Sequence, residues 1–340
     1  MEKASMIGLD IAKTVFEVHG RSAVGEVVLR RSLKRGQVEK FFAKLPKATI
    51  GLEACGSAHY WARVLCQLGH EVRLMPPAYV KPYVKRNKSD AIDAEACWEA
   101  MSRPNMRFVQ IKTAEQQASL SLHRSRDLLV RQRTQLGNAL RSLLSEFGIV
   151  AAKGRAGLAS LVDDLRAGTL ELPQEAACAA LTLADQRAAL ELSIKQLERR
   201  ITAQAKADDR AALLQTAPGV GPLGAHAALA TVPDPTVFKS GRAFAAWLGL
   251  TPRLDGTGGR IRTGHITRQG DQTLRRLLVL GATAWLRQVR AHPEKASPWL
   301  RGMLARRPFK VVATAQAART ARILWAMLTH NQPYRAPAIG

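Results

Sequence analysis

The longest helical segment of the sequence places the strongest constraint on the fold. Residues 112–147 contain no proline and a single glycine, Gly137, so nothing in this segment interrupts a helix. Residues 175–207 are rich in Ala, Leu, Glu, Gln, Arg and Lys, and their apolar members recur at the spacing of one helix face. Two helices of this length predict a helical hairpin or coiled-coil arm for pairing or dimerisation. We expect a loop between them, roughly over residues 148–174, because this segment contains Gly154, Gly157, Gly168 and Pro173.

The first hundred residues show a different pattern, in which short apolar runs alternate with stretches of helical spacing. The predicted strands are residues 5–12, 15–20, 26–32, 48–54 and 71–76, and the predicted helices are residues 37–45, 58–69 and a segment that begins near residue 90. This order predicts an α/β domain with a mixed sheet and helices on its faces. Together with the mostly helical remainder, it gives a fold class of α/β plus all-α. We expect three parts, residues 1–110, 111–208 and 209–340.

The charge of the chain indicates a polyanionic partner. The formal net charge is +24 and the isoelectric point is near 10.8, and from Thr236 onward 18 Lys and Arg stand against 3 Asp and Glu. Nucleic acid is a far better match for this excess than a membrane surface. No apolar run is long enough to span a bilayer, no signal peptide opens the chain, and the four cysteines form no Cys-x-x-Cys pair. We therefore expect a soluble cytoplasmic protein that binds nucleic acid.

Four carboxylates form the candidate metal site. Asp10 lies in the first predicted strand, Glu53 ends the fourth, and Asp90 and Asp93 share one face of a predicted helix. A carboxylate in a strand is costly unless it is paired or binds a metal, and oxygen ligands suit Mg²⁺ or Mn²⁺. Such ions can act on a phosphodiester. Taken alone, Asp90 also fits a helix N-cap, and a strand Asp such as Asp10 also occurs in actin-like ATPases and sugar kinases.

Basic and glycine-rich segments are the candidate nucleic-acid contacts. The candidates are Lys85, Arg86 and Lys88 ahead of the two aspartates, and Arg260, Arg262, Arg268, Arg275 and Arg276 in the C-terminal part. A Pro-Gly-Val-Gly turn at residues 218–221 separates two predicted helices. Its glycines, Gly219 and Gly221, would let backbone N–H groups approach a phosphate, as in a helix-hairpin-helix turn. A plain interhelical turn is the alternative.

Several motifs in order resemble a known family. "IGLDIAK", "GLEACGSAHYWARVL" and "KSDAIDAEA" resemble the RuvC-like domain of DEDD transposases, the insertion-sequence recombinases related to the Piv DNA invertase. "TAPGVGPLGAHAALA", "FAAWLGLTPR", "TGGRIRTGHITRQGDQTLRRLL" and "RRPFKVVATAQAARTARILWAML" extend the resemblance over nearly the whole chain. It is weakest at about residues 150–205.

The resemblance implies a fold, a metal site and partners. It implies an RNase H-like (RuvC-like) domain in which Asp10, Glu53, Asp90 and Asp93 bind Mg²⁺ or Mn²⁺, and a C-terminal transposase domain that supplies a nucleophilic hydroxyl. It also implies donor and target DNA as substrates and a structured bridge RNA that pairs with both. A homo-oligomer, dimer or tetramer, would assemble each active site from two subunits.

The nucleophile is the position at which this sequence departs from the family pattern. The family's serine falls in the glycine-rich stretch after "GLTPR", where this chain reads "LDGTGGR", with Gly256 and Thr257 at the two candidate positions. A threonine hydroxyl can attack phosphorus, so Thr257 is the candidate nucleophile. Ser240 is a nearby hydroxyl in the context of a helix N-cap.

Three functions fit these features. The first is an RNA-guided, Mg²⁺-dependent recombinase that exchanges DNA strands through a covalent protein–DNA intermediate and a four-way junction. The second is a Holliday-junction nuclease that uses the same carboxylates and a metal-activated water, and therefore needs no protein hydroxyl. The third is a nucleic-acid-binding scaffold without catalysis.

Overall fold

The computed structural model describes residues 4–85 and 89–336. The chain divides into two compact units, residues 1–115 and residues 116–340. Arg86 and Lys88, two of the predicted phosphate contacts, lie outside the described residues. The division into parts at residues 110 and 208 stays a prediction.

The first unit is a five-stranded mixed sheet with helices. Its elements are β1 (Met6–Ile11), β2 (Val15–Arg21), β3 (Val27–Lys34), α1 (Val38–Phe42), β4 (Thr49–Glu53), α2 (Ala58–Gln67), β5 (Glu71–Met75), α3 (Pro77–Val80) and α4 (Asp90–Met101). The strand order is β3-β2-β1-β4-β5, in which β1 pairs with β2 antiparallel and with β4 parallel. The predicted mixed α/β domain is confirmed.

Each face of this sheet has its own core. Ile7, Leu9, Ile50 and Leu52 are fully buried in one cluster, together with Trp61 of α2. The residues between them in the strands point to the opposite face, because side chains alternate along a strand. On that face Met75 packs with residues of α4 in a second cluster.

The second unit is mostly helical. Its elements are α5 (Ala114–Ser145, which begins at the end of the first unit), α6 (Gly154–Arg166), α7 (Gln174–Lys206), α8 (Asp209–Leu214), α9 (Pro222–Thr231), α10 (Gly241–Trp247), β6 (Pro252–Thr257), β7 (Arg260–Ile266), α11 (Gln272–Ala291), α12 (Pro298–Arg306) and α13 (Phe309–His330). The C-terminal helices share a core around Phe244, Leu274 and Leu324, each fully buried. None of the described helices is long and apolar enough to cross a membrane.

The long helices α5 and α7 pair as an antiparallel hairpin, which confirms the prediction of a helical hairpin. Arg126 of α5 forms an ion pair with Glu198 of α7 at 2.6 Å, and Arg133 forms one with Glu191 at 2.7 Å. Partner residue numbers fall along α7 as they rise along α5, which shows that the two helices are antiparallel. Whether the arm also joins two copies of the chain stays a prediction.

The loop expected over residues 148–174 is wrong, because its middle part forms helix α6 (Gly154–Arg166). Leu158, Leu161 and Leu165 recur at helical spacing and are buried against α5 and α7. The glycines belong to the helix start. Gly154 has φ +96°, and a Cβ on Gly157 would lie 2.3 Å from the carbonyl oxygen of Ala152. Gly154 and Gly157 allow the first turn of α6 to pack closely against the residues before it, and they do not interrupt the helix.

Candidate metal centre

Two carboxylates lie at the ends of neighbouring parallel strands. Leu9 of β1 pairs with Leu52 of β4, so Asp10 and Glu53 follow at the same level of the sheet. Both side chains are half-buried. β1 and β4 are neighbouring parallel strands that end side by side, as the sequence predicted.

Helix α4 brings the other two carboxylates to this edge. It crosses the sheet over two strand glycines. A Cβ on Gly8 would lie 2.1 Å from the carbonyl oxygen of Ala94, and one on Gly51 would lie 2.8 Å from the sulfur of Met101. Side chains at these two positions would push the helix away from the sheet. Because α4 begins beside the end of β1, its first turn lies next to Asp10.

Three of the four predicted ligands share one point. Carboxylate oxygens of Asp10, Asp90 and Asp93 all lie within 4.8 Å of one another. Glu53 is outside this group of three, although its charge acts on Asp10. Hard oxygen donors at this spacing are the ligands that Mg²⁺ and Mn²⁺ prefer.

The charge balance of the cluster favours a cation. The pKa of Asp10 is raised from 3.8 to about 6, first by burial and then by repulsion from Asp93 and Asp90. The backbone N–H of Ile11 opposes this rise, and Glu53 adds a smaller repulsion. Carboxylates that repel one another in a partly dry site are stabilised by a divalent ion among them. The donor set therefore fits such an ion.

Asp90 does not cap helix α4. Ser89 occupies the N-cap position in an extended conformation, and Asp90 is the first helical residue. The N-cap alternative for Asp90 is therefore wrong by one position. The consequence is that the Asp90 carboxylate joins the cluster with Asp10 and Asp93.

Lys85, the described member of the basic run, is fixed to α4. Its ammonium donates to Glu95 Oε1 at 2.8 Å, and Arg21 Nη2 donates to the same oxygen at 3.3 Å. The guanidinium of Arg21 also lies 4.1 Å from the centroid of the Trp98 ring. Glu95 thus holds two cations two residues beyond Asp93. Sequence reasoning missed Glu95 and Arg21, and no local motif signals them.

A buried thiol lies on the same helix as the aspartates. Cys97 of α4 is 1 % exposed, and burial raises the pKa of its thiol, with further contributions from the charges of Asp10 and Glu53. The thiol therefore stays protonated at neutral pH. It is a small apolar residue beside the cluster rather than a ligand or nucleophile.

Thr257, the candidate nucleophile, lies at the tip of an exposed β-hairpin in the second unit. It ends β6 and pairs with Arg260, while Gly256 pairs with Ile261. Gly258 and Gly259, with φ +56° and +79°, form the turn, as a tight hairpin with two positive φ angles requires. Every residue of β6 is exposed. The sequence predicted no strands here, although a Gly-Gly pair is typical of a hairpin turn.

Ser240 is the N-cap of α10. Its Oγ accepts a hydrogen bond from the N–H of Ala243 at 3.2 Å. The predicted capping role is confirmed, which leaves Thr257 as the candidate hydroxyl.

The predicted phosphate contacts of the C-terminal part have different surroundings. Arg260, Arg262 and Arg268 are exposed. Arg275 donates to the carbonyl oxygen of Leu248 at 3.0 Å, and Arg276 forms an ion pair with Asp127. Contact of these arginines with nucleic acid stays a prediction.

The two glycines of the Pro-Gly-Val-Gly turn also differ. A Cβ on Gly219 would lie 2.8 Å from the carbonyl oxygen of Gly281 in α11, and Gly219 has φ +79°. Gly221 is exposed at the N-cap of α9, with open space where a Cβ would be. Packing against α11 accounts for Gly219, and only Gly221 faces solvent.

Comparison with known proteins places the chain in a class. A DEDD transposase family model, described as "Transposase", matches residues 7–149, which include all four carboxylates. A second model, "Transposase IS116/IS110/IS902 family", matches residues 211–297, which include Thr257. With the carboxylate cluster on a mixed sheet, these matches define a transposase, an enzyme of DNA cleavage and strand transfer. The DEDD match implies an RNase H-like fold for the first unit.

Similarity over the full length identifies the family. The chain is 50% identical to a probable family 20 transposase of Pseudomonas aeruginosa, over 97% of this chain and 98% of that protein. It is 48% identical to the putative transposase y4pF/y4sB of Sinorhizobium fredii, over 98% and 87%. It is 37% identical to the transposase for insertion sequence element IS1111A of Coxiella burnetii, over 99% and 93%. The chain belongs to the IS116/IS110/IS902 family of insertion-sequence transposases.

Proposed function

We propose that this transposase mobilises an insertion sequence by RNA-guided, divalent-metal-dependent strand exchange through a covalent protein–DNA intermediate. The observation that carries the proposal is the convergence of Asp10, Asp90 and Asp93 within 4.8 Å. Donor and target DNA are the substrates, and a structured bridge RNA selects them. The active form is a dimer or tetramer. The exposed cations described above would hold the phosphate backbones.

The carboxylates and the hydroxyl divide the chemistry. Asp10, Asp90 and Asp93, assisted by Glu53, would hold Mg²⁺ or Mn²⁺, which neutralises and polarises a scissile phosphate when bound. Thr257 Oγ1 attacks phosphorus, so a P–O bond forms to the protein as the bond to one deoxyribose oxygen breaks. The hydroxyl loses its proton, and the departing oxygen gains one. Attack by a DNA hydroxyl reverses the step and joins new strands through a four-way junction.

A Holliday-junction-type nuclease is the second candidate. It is favoured by the absence of a serine from "LDGTGGR". In that reaction a metal-activated water replaces the threonine hydroxyl, and no protein–DNA bond forms.

A covalent-adduct assay separates the two candidates. Wild type, Thr257→Ser, Thr257→Ala and Asp10→Asn are incubated with Mg²⁺ and a plasmid that carries the element and its flanks. We expect an adduct on denaturing gels for wild type and Thr257→Ser, and none for the other two. Ser240→Ala is the matched hydroxyl control and keeps the adduct. A covalent adduct formed by Thr257→Ala would refute the assignment of Thr257 as the nucleophile. Cleavage to free 5′-phosphate ends without rejoining supports the nuclease.

The guiding RNA has its own test. The protein is purified from cells that carry the element, and the bound nucleic acid is sequenced. A discrete structured RNA from the flank of the element is the expected result. Random nucleic acid would contradict RNA guidance without affecting the metal proposal.

A further inference from the structure

A cleft of about 410 Å³ opens in the helical hairpin, between α5, the start of α6 and α7. The charged residues that line it are Arg133, Arg141, Lys153, Arg155 and Arg187. The family models match residues 7–149 and 211–297, so α6 and α7 lie outside both. Neither the carboxylates nor Thr257 line the cleft.

The cations of the cleft outnumber their partners. Glu191 accepts from Arg133 at 2.7 Å and from Arg155 at 3.0 Å. Arg141 donates to the carbonyl oxygen of Gly154 at 2.6 Å, a contact that leaves its charge unbalanced. One carboxylate therefore faces several cations within one concave surface. Cations that repel one another at this density are stabilised by an anion among them.

Arg187 is the central residue of this surface. It is half-buried, and within residues 4–85 and 89–336 no carboxylate or carbonyl accepts a hydrogen bond from its guanidinium. Burial lowers its pKa, and Arg133, Arg155 and Arg141 lower it further, while Glu191 alone raises it. An arginine in these surroundings has its donors available to a ligand.

Gly137 makes room for Leu158 of α6. A Cβ at Gly137 would lie 3.6 Å from Arg187 Nε and 2.9 Å from Leu158 Cδ2. A glycine inside a long helix costs about 1 kcal/mol relative to alanine. This glycine lets α6 lie close against α5, and Gly137, Leu158 and Arg187 together line the cleft.

We propose that this cleft binds a backbone phosphate of a nucleic-acid strand, with Arg187 and Arg141 as its principal donors. Guanidinium groups bind phosphate oxygens through paired N–H donors, which fits a site that arginines dominate. The cleft is open at the surface of the hairpin, so a continuous strand can pass over it. This site lies within the second unit and does not depend on the proposed catalytic mechanism.

The test compares two charge reversals on the same hairpin. Arg187→Glu places a carboxylate among Arg133, Arg141 and Arg155, and so supplies the missing anion from the protein itself. Arg166→Glu is the matched control, because Arg166 pairs with Asp185 at 2.8 Å outside the cleft. Both are made in full-length Asp10→Asn protein with EDTA, so that binding is measured without cleavage. Fluorescein-labelled single-stranded RNA and DNA of the same sequence are the probes.

We expect Arg187→Glu to raise the melting temperature and to weaken binding about tenfold more than Arg166→Glu does. The slope of log affinity against log salt should fall by about 1, the loss of one phosphate contact. The probe with the larger loss identifies RNA or DNA as the natural strand. Equal affinities for the two variants, or a lower melting temperature in Arg187→Glu, would overturn the proposal. Because this test measures binding without cleavage, a negative result would not contradict the proposed catalytic function. A failure of the catalytic proposal would likewise not contradict phosphate binding in the cleft.

Discussion

Gly8 of β1 lies directly beneath Ala94 of α4, with room for no side chain between strand and helix. A Cβ on Gly8 would lie 2.1 Å from the Ala94 carbonyl oxygen and 2.5 Å from the backbone nitrogen of Trp98. Asp10 follows two residues later on the same face of the strand, and Asp93 precedes Ala94. The distance between strand and helix therefore sets the distance between the aspartates.

Gly8→Ala should separate the carboxylates. The helix must move, because both close atoms are backbone, so we expect a loss of about 1–3 kcal/mol in the free energy of unfolding. Metal-dependent DNA cleavage should be lost with it. Urea denaturation and a plasmid cleavage assay measure the two effects. Gly36→Ala, with open space around its Cβ position, is the control and should change neither.

Mn²⁺ or Mg²⁺ should stabilise the folded protein. A ligand that binds only the folded state raises the melting temperature, by an amount that grows with its concentration. We expect a rise for wild type and none for Asp10→Asn in calorimetry. Asp255→Asn removes an exposed carboxylate of β6 and serves as the charge control. A metal-induced rise in Asp10→Asn that equals the wild-type rise would contradict the site.

In the metal-free protein, Asp10 and His123 should make the free energy of unfolding depend on pH in opposite directions. Because the pKa of Asp10 rises from 3.8 to about 6 on folding, its contribution is fully present at low pH and is lost as pH rises from about 4 to about 6. His123 is 2 % exposed, and burial, followed by the nearby His226, lowers its pKa from 6.5 to about 4. Its contribution is present above about pH 6.5 and is lost as pH falls towards 4.

Two substitutions separate these contributions. Asp10→Asn should remove the fall in stability between pH 4 and 6, and His123→Gln should remove the opposite change. Urea denaturation in EDTA across this pH range measures both. His123 Nε2 lies 2.9 Å from His226 Nδ1, so one neutral ring donates to the other. A pH profile that His123→Gln leaves unchanged would refute this assignment.

The glycines of the Pro-Gly-Val-Gly turn should respond differently to alanine. Gly219→Ala meets the Gly281 carbonyl oxygen and a positive φ, so it should destabilise the protein by about 1–3 kcal/mol. Gly221→Ala should leave stability nearly unchanged and weaken duplex DNA binding if the helix start contacts phosphate. Thermal denaturation and a duplex-binding titration distinguish the two. If Gly221→Ala binds duplex DNA as tightly as wild type, the phosphate-binding role of this turn is contradicted, and a plain interhelical turn is the remaining interpretation.

The sequence predicts the carboxylate cluster because the physics is local. A strand interior rarely tolerates Asp, and the ends of neighbouring parallel strands must meet at one edge. The strands "IGLD" and "IGLE" also share a glycine two residues before the acid. That repeat signals a helix packed on the face of the carboxylates. The structure is needed to identify that helix as α4, which packs directly on Gly8 and Gly51.

The errors arise where one residue type serves two roles. Glycines in residues 148–174 predict a loop, but Gly154 and Gly157 begin a helix whose leucines bury against α5 and α7. Ser89 and Asp90 are both good caps, and the sequence does not decide between them. The exposed hairpin β6–β7 has no buried face, so it lacks the hydrophobic alternation that identifies strands.

The antiparallel pairs of the helical hairpin have a consequence for its length. Arg126 and Arg133 are one heptad apart on α5, and their partners Glu198 and Glu191 are one heptad apart on α7. Deleting one heptad from α5 before Arg126 and one from α7 after Glu198 would preserve the register and draw the proposed phosphate cleft inward by about 10 Å. The length of the arm can therefore change in steps of seven residues while the ion pairs between α5 and α7 keep their register. Its helix lengths set how far a strand held in the cleft lies from the base of the arm.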